Sequence, residues 1–440
     1  MTLNRTTPPP TGEFPPLSLP QPDKYFLSNG IEVFACNRGD EDVCRIDLMF
    51  EGGYYVEQKP STSALTLLML KEGAAGKSSE EIAESFDYHG AWLQTSASSH
   101  HLYVTLYTLN RHLDTCIPLL ADIVIRPDFP EKEFARLKER RIQQLLVQKE
   151  KVDTLASEAY LAALFGEEHP YGRAITPRFI DNVTCDDLRN YHKQYIQPDK
   201  CRIFIAGKIT QALLDNLEKH FAQSWPTATG STGQTAIYPI QRSYNRLIFV
   251  HKENALQSGI RMGLPTIGRE EPHFFALKLL CTILGGYFGS RLMSNIREEK
   301  GYTYGITSSL AALRYGSYLV ISTQTGTEFT QPLIDEVFVE IDQLRNELVS
   351  NDELTVVKNY LRGEMARTLD SPFSITDYYL SLTANNLSTE YFARQDQAIR
   401  RLTADNLLDV AQKYLCPEQF YIVVAGDRNK IPPITLPDKE

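Results

Sequence analysis

Residues 183–208 read VTCDDLRNYHKQYIQPDKCRIFIAGK, and residues 402–427 read LTADNLLDVAQKYLCPEQFYIVVAGD. The two stretches align without a gap, and identical residues recur along their whole length. The main identical pairs are Thr184/Thr403, Asp186/Asp405, Leu188/Leu407, Tyr195/Tyr414, Pro198/Pro417, Ala206/Ala425 and Gly207/Gly426. Chance is a poor explanation for a gapless match of this length, which indicates an internal duplication of the chain.

Each copy of the repeat predicts the same succession of helix, turn and strand. A threonine, Thr184 or Thr403, can cap a helix N-terminus, and the acidic residues behind it favour the positive end of the helix dipole. Apolar residues follow at helical spacing until a proline, Pro198 or Pro417, blocks continuation. The apolar runs CRIFIAG and FYIVVAG come next and are typical of buried strands that end at a glycine.

The stretch between the copies includes residues 226–245, which read PTATGSTGQTAIYPIQRSYN. It is rich in Thr, Gly, Ser and Pro, a composition that predicts an interdomain linker. A chain of 440 residues is also too long for one ordinary core. The sequence therefore predicts two homologous domains, residues 1–225 and residues 246–440.

Candidate strands lie early in each half, and helices fill the rest. The strand candidates are IEVFACNR, CRIDLMFEGG and LYVTLYTL in the first half, and NRLIFVHKE, SGIRMGLP and SYLVISTQTG in the second. Long helices are predicted over residues 131–165 and 330–366. Because strands and helices mix without strict alternation, we expect an α+β fold, in which each domain is a mixed or antiparallel sheet with helices packed on it.

Composition narrows the function classes. The net charge of -10, without clusters of Lys and Arg, argues against binding to nucleic acid. The seven scattered Cys contain no CxxC, which excludes a zinc knuckle and suits a reducing compartment. No signal-peptide core and no run of 18 apolar residues is seen, so no membrane span and a cytoplasmic location are expected. The proline-rich opening is predicted to run extended as a tether.

Two further stretches resemble a known family. Residues 284–310 read LGGYFGSRLMSNIREEKGYTYGITSSL, and residues 164–173 read LFGEEHPYGR. Both resemble segments of the pitrilysin/insulinase (M16) zinc peptidases, the first in the second domain and the second in the first. The duplicated architecture and the order of elements resemble that family over nearly the whole chain.

The resemblance implies a particular arrangement. Four homologous domains form a clamshell around a peptide chamber, and in short-chain members two subunits supply two domains each. One domain carries HxxEH and a distal Glu, which bind zinc and activate water. The facing domain carries an Arg and a Tyr seven residues apart, which hold the substrate backbone.

The zinc motif is missing from this sequence. HxxEH places two imidazoles on one helix face, but no two of the nine His are four residues apart. Aligned on the family's motif helix, the two His positions fall on Ala64 and Leu68, and the Glu position falls on Leu67. The distal Glu position falls near Gln144. We therefore expect no catalytic residue and no metal in this chain, and zinc in a catalytic partner.

The remaining histidines offer no substitute for that motif. His100 and His101 are adjacent, so in a strand their side chains point to opposite faces and make a poor chelate. His169, in the HPYG segment, is interpreted as structural or capping.

The Arg/Tyr pair is kept as Arg297 and Tyr304. SRLMSNIREEKG predicts a helix ended by Gly301, and GYTYGITSSL predicts a strand. A helix–turn–strand hairpin can bring both side chains to one wall, where their donors suit a substrate carbonyl and its developing oxyanion. Arg291 is expected to pack or to pair within its helix, and the LGGYFGS stretch permits close backbone approach.

These features predict a catalytically inactive, substrate-binding subunit of a heterodimeric M16-type zinc metallopeptidase that cleaves peptides. Its expected partners are an HxxEH-bearing M16 catalytic subunit and peptide substrates, with a homodimer possible when it is alone. The alternatives are a structural or assembly subunit and a homodimeric peptide-binding protein without proteolysis.

Overall fold

The computed structural model describes residue 6, residues 15–225 and residues 237–436. The elements before residue 226 are β1 (Asp23–Phe26), β2 (Glu32–Asn37), β3 (Val43–Glu51), α1 (Thr62–Met69), β4 (Gly73–Ala74), β5 (Lys77–Ser78), α2 (Ser79–Tyr88), β6 (Trp92–Ala97), β7 (His101–Leu109), α3 (Leu113–Ile125), α4 (Glu131–Lys149), α5 (Val152–Phe165), α6 (Pro177–Asp181), α7 (Cys185–Tyr195), β8 (Cys201–Gly207) and α8 (Gln211–Leu217). Of the predicted linker, residues 226–236 lie outside the described residues.

The second half continues the chain from residue 247. Its elements are β9 (Leu247–His251), β10 (Gln257–Thr266), α9 (Phe274–Cys281), β11 (Thr303–Leu313), β12 (Gly316–Gly326), α10 (Thr330–Asn346), α11 (Asn351–Arg367), α12 (Pro372–Ala384), α13 (Tyr391–Arg401), α14 (Ala404–Tyr414) and β13 (Tyr421–Gly426). Two π-helical turns, Thr282–Gly286 and Met293–Glu299, lie between α9 and β11.

The α+β fold is confirmed, and each half contributes its own mixed sheet. In the described residues the first large sheet has the order β1-β2-β8-β3-β7-β6, and the second has the order β11-β12-β10-β13-β9. Read in reverse, the second order matches the first strand by strand, so that β9, β13, β10, β12 and β11 correspond to β2, β8, β3, β7 and β6. The one parallel pair, β2 with β8 or β9 with β13, occupies the same place in both. The duplication seen in the repeat therefore extends to five strands of each sheet.

The repeat itself folds as its residues predict. Thr184 and Thr403 each form a capping box with the residue three positions on, at the start of α7 and α14. Each helix is followed by a short turn at its proline and then by the buried strand β8 or β13. No helix in the described ranges is long and apolar enough to cross a bilayer.

The two long helical segments are each broken, which the sequence pattern did not predict. Residues 131–165 divide into α4 and α5 at Glu150, and residues 330–366 divide into α10 and α11. Ser350 caps the second of these breaks by accepting the N–H of Glu353. The first break has a consequence for packing, because α4 stays with the first half whereas α5 crosses to the second.

Helix α5 covers one face of the second sheet. It packs on β10 and β13, and Tyr160 donates from its hydroxyl to the Leu319 carbonyl at 2.6 Å. Two glycines on β10 make room for it. A Cβ on Gly259 would lie 2.5 Å from the Val152 carbonyl oxygen, and one on Gly263 would lie 2.4 Å from the Tyr160 hydroxyl.

Helix α12 makes the reciprocal crossing and covers the first sheet. It packs on β8 and β2, and Phe34, Met49 and Phe204 of the first half belong to the same core as the second half's apolar residues. The two domains therefore complete each other's cores.

The proline-rich opening is more than a tether where the structure describes it. Leu19 is buried in the second half's core. The Pro15 carbonyl accepts from Arg362, and the Pro20 carbonyl accepts from Tyr379. Residues 15–20 thus pack against the second half of the chain, because the carbonyls of an extended proline-rich backbone remain available to accept hydrogen bonds.

A matched pair of arginines fastens the crossed helices. Arg45 on β3 bonds Asp377 of α12 at 2.7 Å, and Arg261 on β10 bonds Asp153 of α5 at 2.6 Å. β3 and β10 are equivalent strands, but the two arginines differ by two positions in register, since Arg45 lies opposite Ala206 and Arg261 lies opposite Val423. Arg45 additionally holds the buried Asp47 at 2.7 Å, which has no counterpart in the second half's strand.

Candidate functional site

Helix α1 carries apolar side chains at the three motif positions. Leu67 is 1% exposed in the first half's core, Leu68 packs at that core's margin, and Ala64 faces an open cavity. None of these side chains has a lone pair to offer a metal.

A buried carboxylate lies at the start of the same helix. Glu57 accepts the backbone N–H groups of Ser61 and Ser63 and the Ser63 hydroxyl, at 2.7 to 2.9 Å. Burial raises the pKa of Glu57, although these donors oppose the shift. The carboxylate therefore anchors the N-terminus of α1, where negative charge is favoured.

The cavity beside Ala64 has a volume of about 850 Å³ and is also lined by Gln144 of α4. The Gln144 amide oxygen accepts from Arg141 at 3.0 Å. Across the described residues, no group of three or more His, Cys, Asp or Glu is arranged to hold a metal. The side chains at the family's zinc position are one amide and three apolar groups, and this set does not fit zinc.

His100 and His169 belong instead to a buried aromatic cluster between the halves. The His100 Nε2 lies 2.5 Å from the Tyr171 hydroxyl, and His169 Nδ1 accepts the Tyr171 N–H at 3.1 Å. Tyr55 packs against both imidazoles, and Tyr315 of the second half packs against His100. The HPYG segment thus builds the interface between the halves.

This cluster makes the fold acid-sensitive. Burial, with a contribution from Arg314, lowers the pKa of His100 to about 3. The unfolded chain therefore takes up a proton on this histidine near pH 6.5, whereas the folded chain does so only near pH 3. The free energy of unfolding falls as pH falls from 6.5 towards 3, by up to about 1.4 kcal/mol per pH unit.

His100→Gln should flatten this pH dependence of the free energy of unfolding, measured by urea unfolding between pH 7.5 and pH 4.5. His251→Gln, at an exposed position, is the control; equal slopes for the two variants would contradict the assignment.

The structure brings Arg297 and Tyr304 together. Arg297 lies in the π-helical turn Met293–Glu299, Gly301 reverses the chain with φ of 66°, and β11 begins at Thr303. The Arg297 guanidinium carbon lies 5.6 Å from the centre of the Tyr304 ring. The helix–turn–strand hairpin therefore forms, with π-helical rather than α-helical geometry at the arginine.

Phe288 completes the stack and was missed by sequence reasoning. Its ring centre lies 4.7 Å from the Arg297 guanidinium carbon, and the Phe288 side chain is 63% exposed. Such cation–π contacts hold a guanidinium in place while leaving its N–H edge free. The sequence signal, an aromatic residue in the LGGYFGS stretch, has meaning only once Arg297 is placed.

The donors of this pair are free to bind. Within the described residues, Arg297 has no ion pair and no hydrogen bond. Tyr304 is 92% exposed and lines a second cavity, of about 750 Å³, together with Asp153 of α5. Asp153 also lines the cavity beside Ala64, so the N-terminus of α5 lies between the two cavities.

Two neighbouring predictions need adjustment. Arg291 does not pair within its own helix; it forms a two-pronged ion pair with Glu353 of α11, at 2.9 and 2.8 Å. Gly285 does permit close approach, but to the chain itself, since a Cβ there would lie 2.6 Å from the Ser308 N of β11.

Comparison with known families accounts for most of the chain. The model of the insulinase peptidase family M16 matches residues 33–176, and the model of the peptidase M16 inactive domain matches residues 182–361. The chain belongs to the peptidase M16 family. Among curated proteins it is similar to an uncharacterized zinc protease YmxG of Bacillus subtilis, at 25% identity over 93% of this chain and 99% of that protein.

A second M16 relative is named for lack of activity. The chain is 25% identical to a non-peptidase homolog YmxG of Helicobacter pylori, over 77% of this chain and 80% of the relative. Among solved structures, a peptidase M16 inactive domain from Pseudomonas fluorescens matches with a TM-score of 0.82 at 24% identity, over 94% of this chain and all of that one. A protease from Helicobacter pylori matches with a TM-score of 0.80 at 18% identity, over 92% and 100%. These structures show the same fold.

Proposed function

We propose that this chain is the substrate-binding, non-catalytic subunit of a heterodimeric M16 zinc metallopeptidase. The observation that carries the proposal is the Arg297 guanidinium, which has no ion pair within the described residues and contacts the rings of Phe288 and Tyr304, the second of which lines a cavity. The HxxEH motif, and with it the zinc, would reside in a partner subunit of the same family.

The chemistry of the pair suits a peptide backbone. A guanidinium presents donors in a fixed fork, and a phenol hydroxyl adds one more. Donors held in place before the substrate arrives stabilise negative charge on a carbonyl oxygen without reorganising during the reaction. In this role the chain supplies binding and charge stabilisation, and it supplies neither a nucleophile nor a base.

The degenerate α1 supports the same division of labour. Leu67 stands at the position of the family's general base and is buried in the core, so water has no access to it and no proton can be transferred there. Peptide hydrolysis by this chain alone would have no chemical basis at that position.

A structural or assembly role is the second candidate. It is favoured by the relative that is named a non-peptidase homolog. A scaffold has no use for an arginine that contacts two rings and has no ion pair in the part of the chain that the structure describes, which is why we place it second. A homodimer that binds peptides without cleaving them is the third candidate.

Reconstitution tests the proposal. The chain would be purified alone and co-expressed with the HxxEH-bearing M16 chain of its source, with native mass spectrometry and hydrolysis of quenched fluorescent peptides as readouts. We expect a one-to-one complex that cleaves peptides and is stopped by a chelator, and no cleavage by this chain alone. A complex without cleavage would favour assembly, a peptide-binding homodimer would favour the third candidate, and cleavage by the isolated chain would refute all three.

A further inference from the structure

We propose that the cavity beside Ala64 binds a ligand carboxylate through Arg141 and Arg173. The cavity occupies the place that holds the metal in zinc-bearing members of the family, between α1 and α4. Its volume of about 850 Å³ lies within the range of pockets that enclose small molecules and short peptide segments. The proposal concerns the first half of the chain and does not depend on the role given to Arg297 and Tyr304.

The acidic side chains that line this cavity are already engaged. Glu57 is bonded to Ser61 and Ser63. Asp153 is paired with Arg261 at 2.6 Å, and Glu158 is paired with Lys149 at 2.8 Å. Asp153 and Glu158 therefore have their charges compensated by cations outside the lining, and the Glu57 oxygens are occupied by donors of Ser61 and Ser63.

The two arginines of the lining lack such partners. In the described parts of the chain, neither Arg141 nor Arg173 forms an ion pair with a carboxylate within 4.0 Å. Arg141 donates to the neutral Gln144 amide, and Arg173 donates to the Glu168 backbone carbonyl at 2.6 Å. Each guanidinium has five N–H donors, so most of these remain available. With Asp153 and Glu158 paired to cations outside the lining, its remaining charges are Arg141, Arg173 and Glu57, of which Arg173 attracts Glu57. This excess of one positive charge, in a chain of net charge -10, favours an anionic ligand.

Arg141 is held where it can replace part of the metal's role. Its guanidinium donates at 3.0 Å to the amide oxygen of Gln144, which lies three residues along α4 and near the position of the distal ligand. A guanidinium matches a carboxylate with two parallel hydrogen bonds. It carries no exchangeable water ligand, so it can bind an anion in this place without activating water for attack.

The rest of the lining indicates that the ligand carries carbon as well as charge. Leu65, Leu161 and Ile175 form apolar parts of the wall. A carboxylate on an apolar body fits such a wall, and two sources share that chemistry: the C-terminus of a peptide and a small organic acid.

Isothermal titration of the full-length chain distinguishes the sources. The probes are a leucine-rich hexapeptide with a free C-terminal carboxylate, the same peptide as its C-terminal amide, and glutarate. We expect the free carboxylate to bind at least tenfold more tightly than the amide, and Arg141→Gln or Arg173→Gln to weaken binding about 10- to 100-fold. Glutarate that binds and displaces the peptide would identify a small acid as sufficient, whereas peptide binding alone would identify the C-terminus.

Arg136→Gln is the matched control, because Arg136 lies on the same helix, is paired with Glu133, and does not line the cavity. It should bind as the unaltered chain does. The proposal would be overturned if the carboxylate and amide peptides bound equally tightly, or if the Arg141→Gln and Arg136→Gln variants bound the carboxylate peptide equally tightly. It would also be overturned if none of the probes bound. Circular dichroism of each variant shows whether it is folded.

Discussion

Replacing Arg297 by alanine should lower kcat/KM for peptide cleavage by the assembled peptidase about 10²- to 10³-fold. That is the usual loss when one preorganised donor to a developing oxyanion is removed. The side chain contacts the rings of Phe288 and Tyr304 and pairs with no acid in the described residues, so little of this loss should come from disturbed folding. The measurement is steady-state hydrolysis with the reconstituted pair, with complex formation checked by native mass.

Tyr304→Phe separates the hydroxyl from the ring. It keeps the stack on Arg297 and removes one donor, so we expect a loss of about tenfold in kcat/KM. Tyr88→Phe is the matched control, because Tyr88 is 86% exposed and does not line the cavity that Tyr304 lines. Unchanged kcat/KM for both Arg297→Ala and Tyr304→Phe would remove the basis of the substrate-binding role.

Arg45→Ala should lower the free energy of unfolding by about 3–5 kcal/mol, because it leaves the carboxylate of Asp47 buried without its cation. The side chains of Arg45 and Asp47 are each only 5% exposed. Thr105 donates to Asp47 at 2.7 Å in the unaltered chain, but a hydroxyl does not neutralise the charge that would remain in the variant. Urea unfolding followed by circular dichroism measures the loss.

Two further variants divide the contributions. Asp377→Asn removes only the partner that is 63% exposed, and exposed ion pairs contribute about 0–1 kcal/mol. Combining Arg45→Ala with Asp47→Ala should recover part of the loss, because no buried charge then remains. If Arg45→Ala costs no more than Asp377→Asn, the buried pair with Asp47 is not what stabilises this strand.

Much of the fold and part of the site could be predicted from sequence because their signals are local. The capping threonines Thr184 and Thr403 act within one helical turn. The missing zinc motif is a matter of spacing and residue type, and the proximity of Arg297 and Tyr304 follows from a short hairpin. Periodicity likewise found most strands, though it missed the edge strands β1 and β6 and the two-residue strands β4 and β5.

What could not be predicted depends on contacts between distant parts of the chain. Nothing in residues 131–165 shows that α5 leaves its own half, since an apolar helix face does not specify which sheet it covers. The pairing of Arg291 with Glu353 and the cavity at Arg141 likewise depend on contacts between elements that are distant in sequence. Each needs the positions of elements that the pattern of one segment does not contain.

The crossed helices also constrain how the chain can be made. The first sheet ends with β8 at Gly207, but α12, which covers it, begins at Pro372. At synthesis rates of about 5–20 residues per second, the apolar sheet face that carries Phe34, Met49 and Phe204 stays uncovered for on the order of ten seconds or more, until α12 has been made. A ribosome that stalls between these points displays an uncovered sheet, which makes the nascent first half a natural client for chaperones that bind exposed apolar surface.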